Sequence, residues 1–419
     1  MLKNVGVHEL EIGMFVHKMD GSWFDHPFWK SNFLIEDNKR LQVLKSSKLR
    51  GVIIDTSKGK DIVAPAPAAP PAPAAAPASA RIRAISNRSK REAAASRPTT
   101  LAQELHAAEA IANKAKDSLH KTFLAARLGR ALNVKQVEPV VSDILASVRR
   151  NPQAFSSLMR CKLKNELMFR HALSVSALMV SLARKMKLPP QDTLDCGLAG
   201  LLLDTGVNYL PATLDPLNGD FRNIEPEIWQ QHVMLGYRAL ANTGDLPQSV
   251  LDAVLQHHER IDGSGFPKGL DGHRISTIAR MAAICDTFDF LLSQTNTAAA
   301  LDPAAAIRHM KAMSGAFDED ILRHFIESVG LYPVGSFVRL RSDTLAMVID
   351  EDRSDHTRPV VQVFYSLESG EQIKPHRLEL ARCGDRDRII EIADLSGLNL
   401  PATTHLREML FLSTYKNPV

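Results

Sequence analysis

The pattern of apolar positions divides the chain into a small mixed unit, a long helical body and a β-rich end. Apolar residues recur every three or four positions along most of residues 99–332, which is the period of helices that bury one face. Short β-rich runs occur at Met14–Val16 and Gly51–Asp55, around a polar, helix-compatible segment, and again beyond Pro333. The sequence therefore predicts a mainly α fold: a helical bundle with a small N-terminal α/β domain and a short C-terminal β appendage.

Changes of pattern predict six segments. Ala64–Ala80 is almost entirely alanine and proline, which is typical of an extended linker, and the basic run Arg81–Arg97 is expected to be a solvated tether. The predicted segments are the N-terminal α/β domain (1–63), the linker (64–98), a helical connector (99–159), the main helical domain (160–332), the β-rich appendage (333–382) and a C-terminal tail (383–419).

Composition excludes several classes of protein. The net charge is only +4 over 419 residues, which does not favour capture of a nucleic acid polymer. The four cysteines are scattered without a CxxC pair, which favours a reducing compartment over a disulfide scaffold or a thiolate zinc site. The start of the chain lacks an apolar signal core, and no apolar run approaches the length of about 20 residues that spans a bilayer. We expect a cytoplasmic protein without a membrane span.

The strongest chemical signal is the phrase HHERIDGSGFP at His257–Pro267. Two adjacent histidines end an apolar helical run, and an acidic, glycine-rich turn follows at once. Neutral imidazole is the commonest metal ligand among side chains. The phrase resembles the HHE-x-x-DG-x-GYP signature of the HD-GYP family, with Phe266 in place of tyrosine. That resemblance implies an HD-type helical bundle and a bacterial, metal-dependent phosphodiesterase that hydrolyses cyclic di-GMP.

Two further residues attract attention on physical grounds. His171 falls on the apolar stripe of its helical segment, where a lone inward histidine is most often a hydrogen-bonded core residue. Asp204 closes the apolar run Gly197–Leu203, where a buried carboxylate needs a cation or several donors. The resemblance implies that both are metal ligands and that Asp204 bridges two ions. The implied cofactors are one or two divalent transition ions (iron, manganese, nickel or zinc). The full implied ligand set is His171, Asp204, His232, His257, His258 and Asp286.

The resemblance also assigns roles within the site. Two ions about 3.5–4 Å apart can share a carboxylate and activate water for attack on phosphorus. The predicted catalytic residues are Asp204, His257, His258, Asp262 and Gly263. The predicted turn residues are Glu259, Gly265, Phe266 and Pro267, with Phe266 packed beneath the turn. Glu259 and Arg260 are expected to form structural pairs around it. Arg280 is predicted to bind substrate.

The chain departs from the family pattern at three places. The HD-x-GK phrase of relatives reads Leu203-Asp204-Thr205-Gly206-Val207 here, so the first metal site has one ligand fewer, whereas the second keeps Asp204 and the three histidines. Val207 replaces a lysine that lies beside the phosphate in relatives. A downstream basic phrase of relatives is replaced by Thr295–Ala299. Charge-assisted contacts are worth roughly 1.5–3 kcal/mol each, so these losses predict a weakened or abandoned active site.

Three functions therefore stay open at this point. The first is a cyclic di-GMP phosphodiesterase of reduced activity. The second is an inactive module of cyclic di-GMP signalling, whose turn at Asp262–Pro267 docks diguanylate cyclases or other signalling proteins. The third is a hydrolase of the HD type that acts on another nucleotide.

Overall fold

The computed structural model describes residues 2–5, 10–20, 33–35, 37–45, 51–60, 98–130, 132–161, 167–211, 225–293, 300–352, 355 and 357–416. The chain divides into two compact units, residues 1–83 and 84–419. Residues 64–97 of the predicted linker lie outside the described residues, as does the substituted phrase Thr295–Ala299. No helix in the described part of the chain is both long enough and apolar enough to cross a membrane.

The first unit is an antiparallel sheet with one helix. Its strands lie in the order β1-β4-β2-β3, and Val5, Val16, Leu44 and Ile54 are buried in its core. The predicted α/β character is confirmed, although the sequence did not indicate the short strands β1 and β3. The elements are β1 (Leu2–Val5), β2 (Phe15–Asp20), β3 (Phe33–Leu34), α1 (Asn38–Lys45) and β4 (Gly51–Asp55).

The second unit is mainly helical, as the apolar period predicts. The helices that precede its sheet are α2 (Leu101–Arg127), α3 (Glu138–Arg150), α4 (Ala154–Cys161), α5 (Leu167–Lys185), α6 (Pro190–Leu202), α7 (Pro226–Trp229), α8 (Gln231–Ala241), α9 (Gln248–Gln256), α10 (Thr277–Leu291), α11 (Pro303–Ala312) and α12 (Glu319–Val329). Short 3-10 helices cover Val134–Gln136, Thr205–Tyr209, Gly272–Arg274 and Leu380–Arg382.

Helices α2 to α4 belong to this body and do not form a separate connector. Helix α2 begins at a capping box, in which Thr100 accepts a hydrogen bond from the Gln103 amide and the Gln103 side chain accepts one from the Thr100 amide. The Phe123 ring on α2 stacks on the Phe169 ring on α5, with centroids 5.4 Å apart. The boundary predicted at 159 therefore does not separate two cores. Apolar periodicity shows that a helix buries one face, but it does not show against which helix.

A buried carboxylate fixes the start of α2 on α3. Both oxygens of Glu104 accept hydrogen bonds from the Arg150 guanidinium at 2.7 Å, and one also accepts a hydrogen bond from Ser147 at 2.8 Å. The carboxylate is almost fully buried, so the paired arginine and the hydroxyl offset the cost of its desolvation.

The β-rich end forms an antiparallel sheet in the order β8-β7-β6-β5-β9. The prediction ended this unit at residue 382 and treated 383–419 as a tail. Strand β9 instead pairs with β5, and the Arg407 side chain on the last helix donates a hydrogen bond to the Gly335 carbonyl at 2.8 Å. Strand β9 has only four residues and follows a charged run, so its apolar signal is weak. The elements are β5 (Phe337–Leu340), β6 (Thr344–Asp350), β7 (Val360–Ser366), β8 (Glu371–Glu379), β9 (Ile389–Ile392) and α13 (Thr403–Lys416).

Candidate metal centre

The six predicted ligands come together from five helices of the second unit. Helix α5 carries His171, α8 carries His232 and α10 carries Asp286. Asp204 is the second residue after α6, and the adjacent His257 and His258 directly follow α9. Their side chains form two groups, in each of which the potential ligand atoms lie within 4.8 Å of one another. One group is His171, Asp204 and Asp286, and the other is His232, His257 and His258.

Asp204 lies between the two groups. Its Oδ2 is 3.1 Å from His171 Nε2, and its Oδ1 is 3.3 Å from His232 Nε2 and 3.7 Å from His257 Nε2. Burial alone would raise the pKa of this carboxyl, but the three imidazoles hold the pKa well below its usual value. Asp204 is therefore an anion with one oxygen directed at each group, as a carboxylate shared by two cations must be.

The tautomers of His232 and His257 are fixed by the backbone. His232 Nδ1 is 2.6 Å from the Trp229 carbonyl, and His257 Nδ1 is 2.9 Å from the Val254 carbonyl. A carbonyl can only accept a hydrogen bond, so each Nδ1 carries a proton. The two Nε2 atoms face each other at 3.3 Å. In neutral imidazoles both would present lone pairs to one another, and a cation bound between them and Asp204 removes that repulsion.

His171 is oriented by a carboxylate that the sequence did not single out. Its Nδ1 is 2.7 Å from Asp289 Oδ2, whereas its Nε2 is 3.0 Å from Asp286 Oδ1. Burial acts to lower the pKa of His171, but hydrogen bonds to Asp204, Asp286 and Asp289 together raise it well above its usual value. The point between His171 Nε2 and the two carboxylates thus requires positive charge, either a proton or a divalent cation. The i, i+3 spacing of Asp286 and Asp289 on one helix was the available signal for this orienting role.

His258 completes the second group. Its Nε2 is buried and has no hydrogen-bond partner among the described residues. Burial, followed by the neighbouring His257 and His232, lowers the pKa of His258 well below its usual value, so the ring is neutral. An unpaired buried nitrogen on a neutral imidazole is costly unless it binds a cation. The donor set, mixed imidazole and carboxylate, therefore fits a divalent transition metal.

A glycine sets the distance between Asp204 and His232. Asp204 leads directly into the 3-10 helix Thr205–Tyr209, which packs against α8. A Cβ atom on Gly206 would lie 1.8 Å from the His232 carbonyl oxygen and 2.6 Å from the Gly236 amide nitrogen. Only glycine permits this backbone approach, which brings the bridging carboxylate and the histidine together.

The turn after the paired histidines is held by backbone contacts. The two oxygens of Glu259 accept hydrogen bonds from the Lys268 amide at 2.8 Å and the Leu270 amide at 2.9 Å. A Cβ atom on Gly265 would lie 2.4 Å from the His258 carbonyl oxygen, so the turn folds back tightly on the ligand. Phe266 stacks on the His258 ring, with centroids 4.6 Å apart, and Pro267 follows through a cis peptide bond. The turn residues thus support His258 directly.

Three predicted site residues lie outside the two ligand groups. Asp262 is exposed, and its carboxylate accepts a hydrogen bond from the Ser264 amide at 2.9 Å, while Gly263 supplies a positive φ of 79°. Both residues shape the turn, and neither is a member of a ligand group. Arg280 binds Asp318 at 2.7 Å and does not line the cavity beside the ligands.

The ligands open onto a small cavity of about 200 Å³. Trp229, Phe266 and Phe290 form aromatic walls, and Arg260 is the arginine in its lining. Leu203 and Val207 are buried in the hydrophobic core and do not line the cavity. Sequence reasoning missed Trp229, Phe290 and Arg260 as parts of the site, because only the fold places them around the ligands. The lining is His171, Asp204, Trp229, His258, Arg260, Phe266, Asp286, Thr287 and Phe290.

Comparison with known proteins gives relatives that match both units. The model of a domain of unknown function, DUF3391, matches residues 2–137, and that of the HD domain matches residues 154–321. A cyclic di-GMP phosphodiesterase of Pseudomonas aeruginosa is 37% identical over 399 residues, which cover 93% of this chain and 92% of the relative. The cyclic di-GMP phosphodiesterase PdeB of Borreliella burgdorferi is 24% identical over 204 residues, 48% of this chain and 53% of that protein.

A third relative matches a shorter part of the chain. The cyclic di-GMP phosphodiesterase response regulator RpfG of Xanthomonas campestris pv. campestris is 32% identical over 134 residues, which cover 32% of this chain and 35% of that protein. The near-complete match to the Pseudomonas protein, together with the HD domain and the HHERIDGSGFP turn, decides the relationship. The chain belongs to the HD-GYP family, as a member in which a DUF3391 domain precedes the HD domain.

Proposed function

We propose that this protein is a metal-dependent phosphodiesterase that hydrolyses cyclic di-GMP. One observation carries the proposal. Two Nε2 atoms 3.3 Å apart and a buried carboxylate, Asp204, converge on one point, and the opposite oxygen of the same carboxylate faces His171. This arrangement suits a cation on each side of Asp204. The substrate class is supported by the similar cyclic di-GMP phosphodiesterase of Pseudomonas aeruginosa.

The residues divide into two ligand sets that share Asp204. His232, His257 and His258 with Asp204 would hold one ion, and His171 and Asp286 with Asp204 would hold the other. Iron, manganese, nickel and zinc all suit mixed imidazole and carboxylate ligands. Bound ions of this kind neutralise phosphoryl charge and generate the nucleophile from water at neutral pH.

The remaining residues would prepare the site for a dinucleotide. Asp289 holds the His171 ring in place, and Glu259 fixes the turn that carries Phe266. Trp229 and Phe290 border the cavity, and Phe290 is 40% exposed, so its face is accessible to a base. Aromatic side chains stack on nucleobases without regard to sequence. The cavity thus offers an apolar platform beside a metal site, which suits a cyclic ester of two guanosines.

We infer that turnover is weaker than in relatives with a complete ligand set. Leucine at 203 cannot coordinate a metal, and Leu203 is buried in the core. The first ligand set therefore has three side chains, and an ion there would be held less tightly. The lysine that the family pattern has at the position of Val207 is also absent.

The test combines metal analysis with product analysis. Protein purified under anaerobic conditions should contain a transition metal and convert cyclic di-GMP to the linear dinucleotide or GMP. Asp204→Asn should lose both properties. Leu203→His should raise the metal content and the rate, with thermal unfolding measured because a buried position is changed. Full occupancy by two metals in the wild-type protein without any hydrolysis would refute the phosphodiesterase proposal.

The second candidate is a catalytically inactive interaction module. The exposed side chains of Asp262, Ser264 and Lys268 stand on a turn that Glu259 and Gly265 hold in one conformation. A pre-organised polar turn suits docking of a diguanylate cyclase or another signalling protein. Binding of cyclic di-GMP without turnover, together with binding of a cyclase that is lost when Asp262 and Lys268 are replaced by alanine, would favour this candidate.

A further inference from the structure

Arg260 lies between the signature turn and the metal-ligand helix. Its Nη1 donates to the Glu259 carbonyl at 3.1 Å and the His257 carbonyl at 3.4 Å, and its Nη2 donates to Thr287 Oγ1 at 3.3 Å. Thr287 is the residue after the ligand Asp286. The guanidinium is also 5.2 Å from the centre of the Phe317 ring, which packs against it. Arg260 is thus held beside both ligand groups.

The positive charge of Arg260 is not neutralised by direct contact. Its partners named above are two carbonyls, one hydroxyl and an aromatic ring, and it forms no ion pair with any described carboxylate. Arg280, by contrast, is bound to Asp318 at 2.7 Å. A half-buried guanidinium with neutral partners keeps its full charge, because arginine stays protonated in proteins.

The surroundings of Arg260 fit an anionic ligand. It lines the cavity together with His171, Asp204, His258 and Asp286, so an anion bound to metal ions at these ligands would lie within its reach. A guanidinium offers donors in a planar fork that matches two oxygens of a phosphate. Its weak bonds, at 3.1–3.4 Å, leave room to reorient towards a stronger acceptor.

We propose that Arg260 binds both non-bridging oxygens of the scissile phosphodiester through its planar fork, in place of the basic residues that the sequence lacks at Val207 and Thr295–Ala299. This inference rests on the proposed phosphodiesterase function and names the cation of that site. Arg260 is not the predicted substrate contact: the prediction chose Arg280, which the structure pairs with Asp318 outside the cavity.

A purely structural role for Arg260 makes different predictions. An arginine that only ties the turn to α10 would lower stability when replaced, and any loss of activity would follow the loss of folded or metal-loaded protein. An arginine that binds phosphate lowers anion affinity in protein that is folded and metal-loaded. The affinity for a small anion therefore separates the two roles.

The experiment compares Arg260→Gln, Arg260→Lys and the control Arg280→Gln in the full chain loaded with manganese. Calorimetry measures the affinity for inorganic phosphate, and a steady-state assay measures kcat and KM with cyclic di-GMP. Loss of one charge-assisted contact should weaken phosphate binding by R260Q by roughly 10- to 100-fold. R260K keeps the charge without the fork and should show a smaller loss, whereas R280Q should match the wild type.

The two arms separate failure of the inference from failure of the proposed function. Phosphate affinity of R260Q within about twofold of the wild type, at equal metal content, would overturn the role of Arg260. If R260Q is too unstable to purify, R260K decides the question, because wild-type affinity in R260K would refute a forked contact. Absence of cyclic di-GMP turnover in the wild type would refute the phosphodiesterase, while the phosphate measurement would still decide the role of Arg260.

Discussion

Replacing Asp289 with asparagine tests whether the orienting carboxylate is required for metal binding. Asp289 is buried, and its Oδ2 lies 2.7 Å from His171 Nδ1. A charge-assisted hydrogen bond of this length is worth about 1.5–3 kcal/mol. At about 1.4 kcal/mol for each factor of ten, that is roughly a 10- to 150-fold change in affinity. The same order is typical for partners that orient a metal-bound histidine, about 10- to 100-fold.

The variant Asp289→Asn keeps a hydrogen-bond acceptor but loses the charge, so we expect the lower end of this range, and Asp289→Ala should reach the upper end. Competition with a metal chelator measures the affinity directly. Asp320→Asn is a matched control, because Asp320 is 85% exposed and pairs only with a neighbour on its own helix among the described residues. Unchanged metal affinity in both Asp289 variants would refute the orienting role.

Four further outcomes are expected. Gly265→Ala places a Cβ atom 2.4 Å from the His258 carbonyl oxygen and should cost about 1–3 kcal/mol of stability with loss of bound metal; an unchanged melting temperature would contradict the tight turn. The carboxylates around His171 raise its pKa against the effect of burial. In metal-stripped protein, the stability that the protonated ring contributes is therefore present below the ordinary histidine pKa and is lost as pH rises through the raised pKa. Metal affinity should increase with pH over that range, and calorimetry in two buffers should show that metal binding releases a proton. Phe290→Ala should raise KM for cyclic di-GMP through loss of about 1–3 kcal/mol of stacking, whereas Phe290→Tyr should not. Glu104→Gln should lower the free energy of unfolding of the helical body by about 1.5–3 kcal/mol. An unchanged free energy in a denaturant titration would contradict the conclusion that α2 is part of that body.

The sequence predicted the architecture where the pattern is long. The helical period extends over many turns, and the phrase HHERIDGSGFP matches a family signature. The mainly α fold and the six residues that form the ligand groups could therefore be anticipated. The short strands β1, β3 and β9 could not, because two to four residues carry too little alternation. The contacts of α2 with the later helices depend on tertiary packing, which periodicity does not contain.

Within the site, the missed residues share one property. Asp289, Arg260 and Phe290 gain their roles from the group that faces them. The i, i+3 spacing from Asp286 places Asp289 on the same helix face, but it does not identify His171 as its partner. Arg280 illustrates the opposite case, a residue that was predicted to bind substrate but is paired elsewhere in the fold. It lies on the ligand helix, six residues before Asp286, but Asp318, the N-cap residue of α12, binds its guanidinium. The metal ligands could be predicted from residue type and sequence motif. The roles that depend on a neighbour in space could be assigned only from the fold.

The dispersal of the ligands over α5, α6, α8, α9 and α10 makes metal occupancy a property of the whole helical body. An unfolded chain cannot gather donors that are so far apart in sequence, so ions added to the solution favour the native state through mass action. At a free metal concentration one hundred times the dissociation constant, this linkage adds about 2.7 kcal/mol to the free energy of unfolding. Cellular metal supply would then set the lifetime of this protein as well as its catalytic competence.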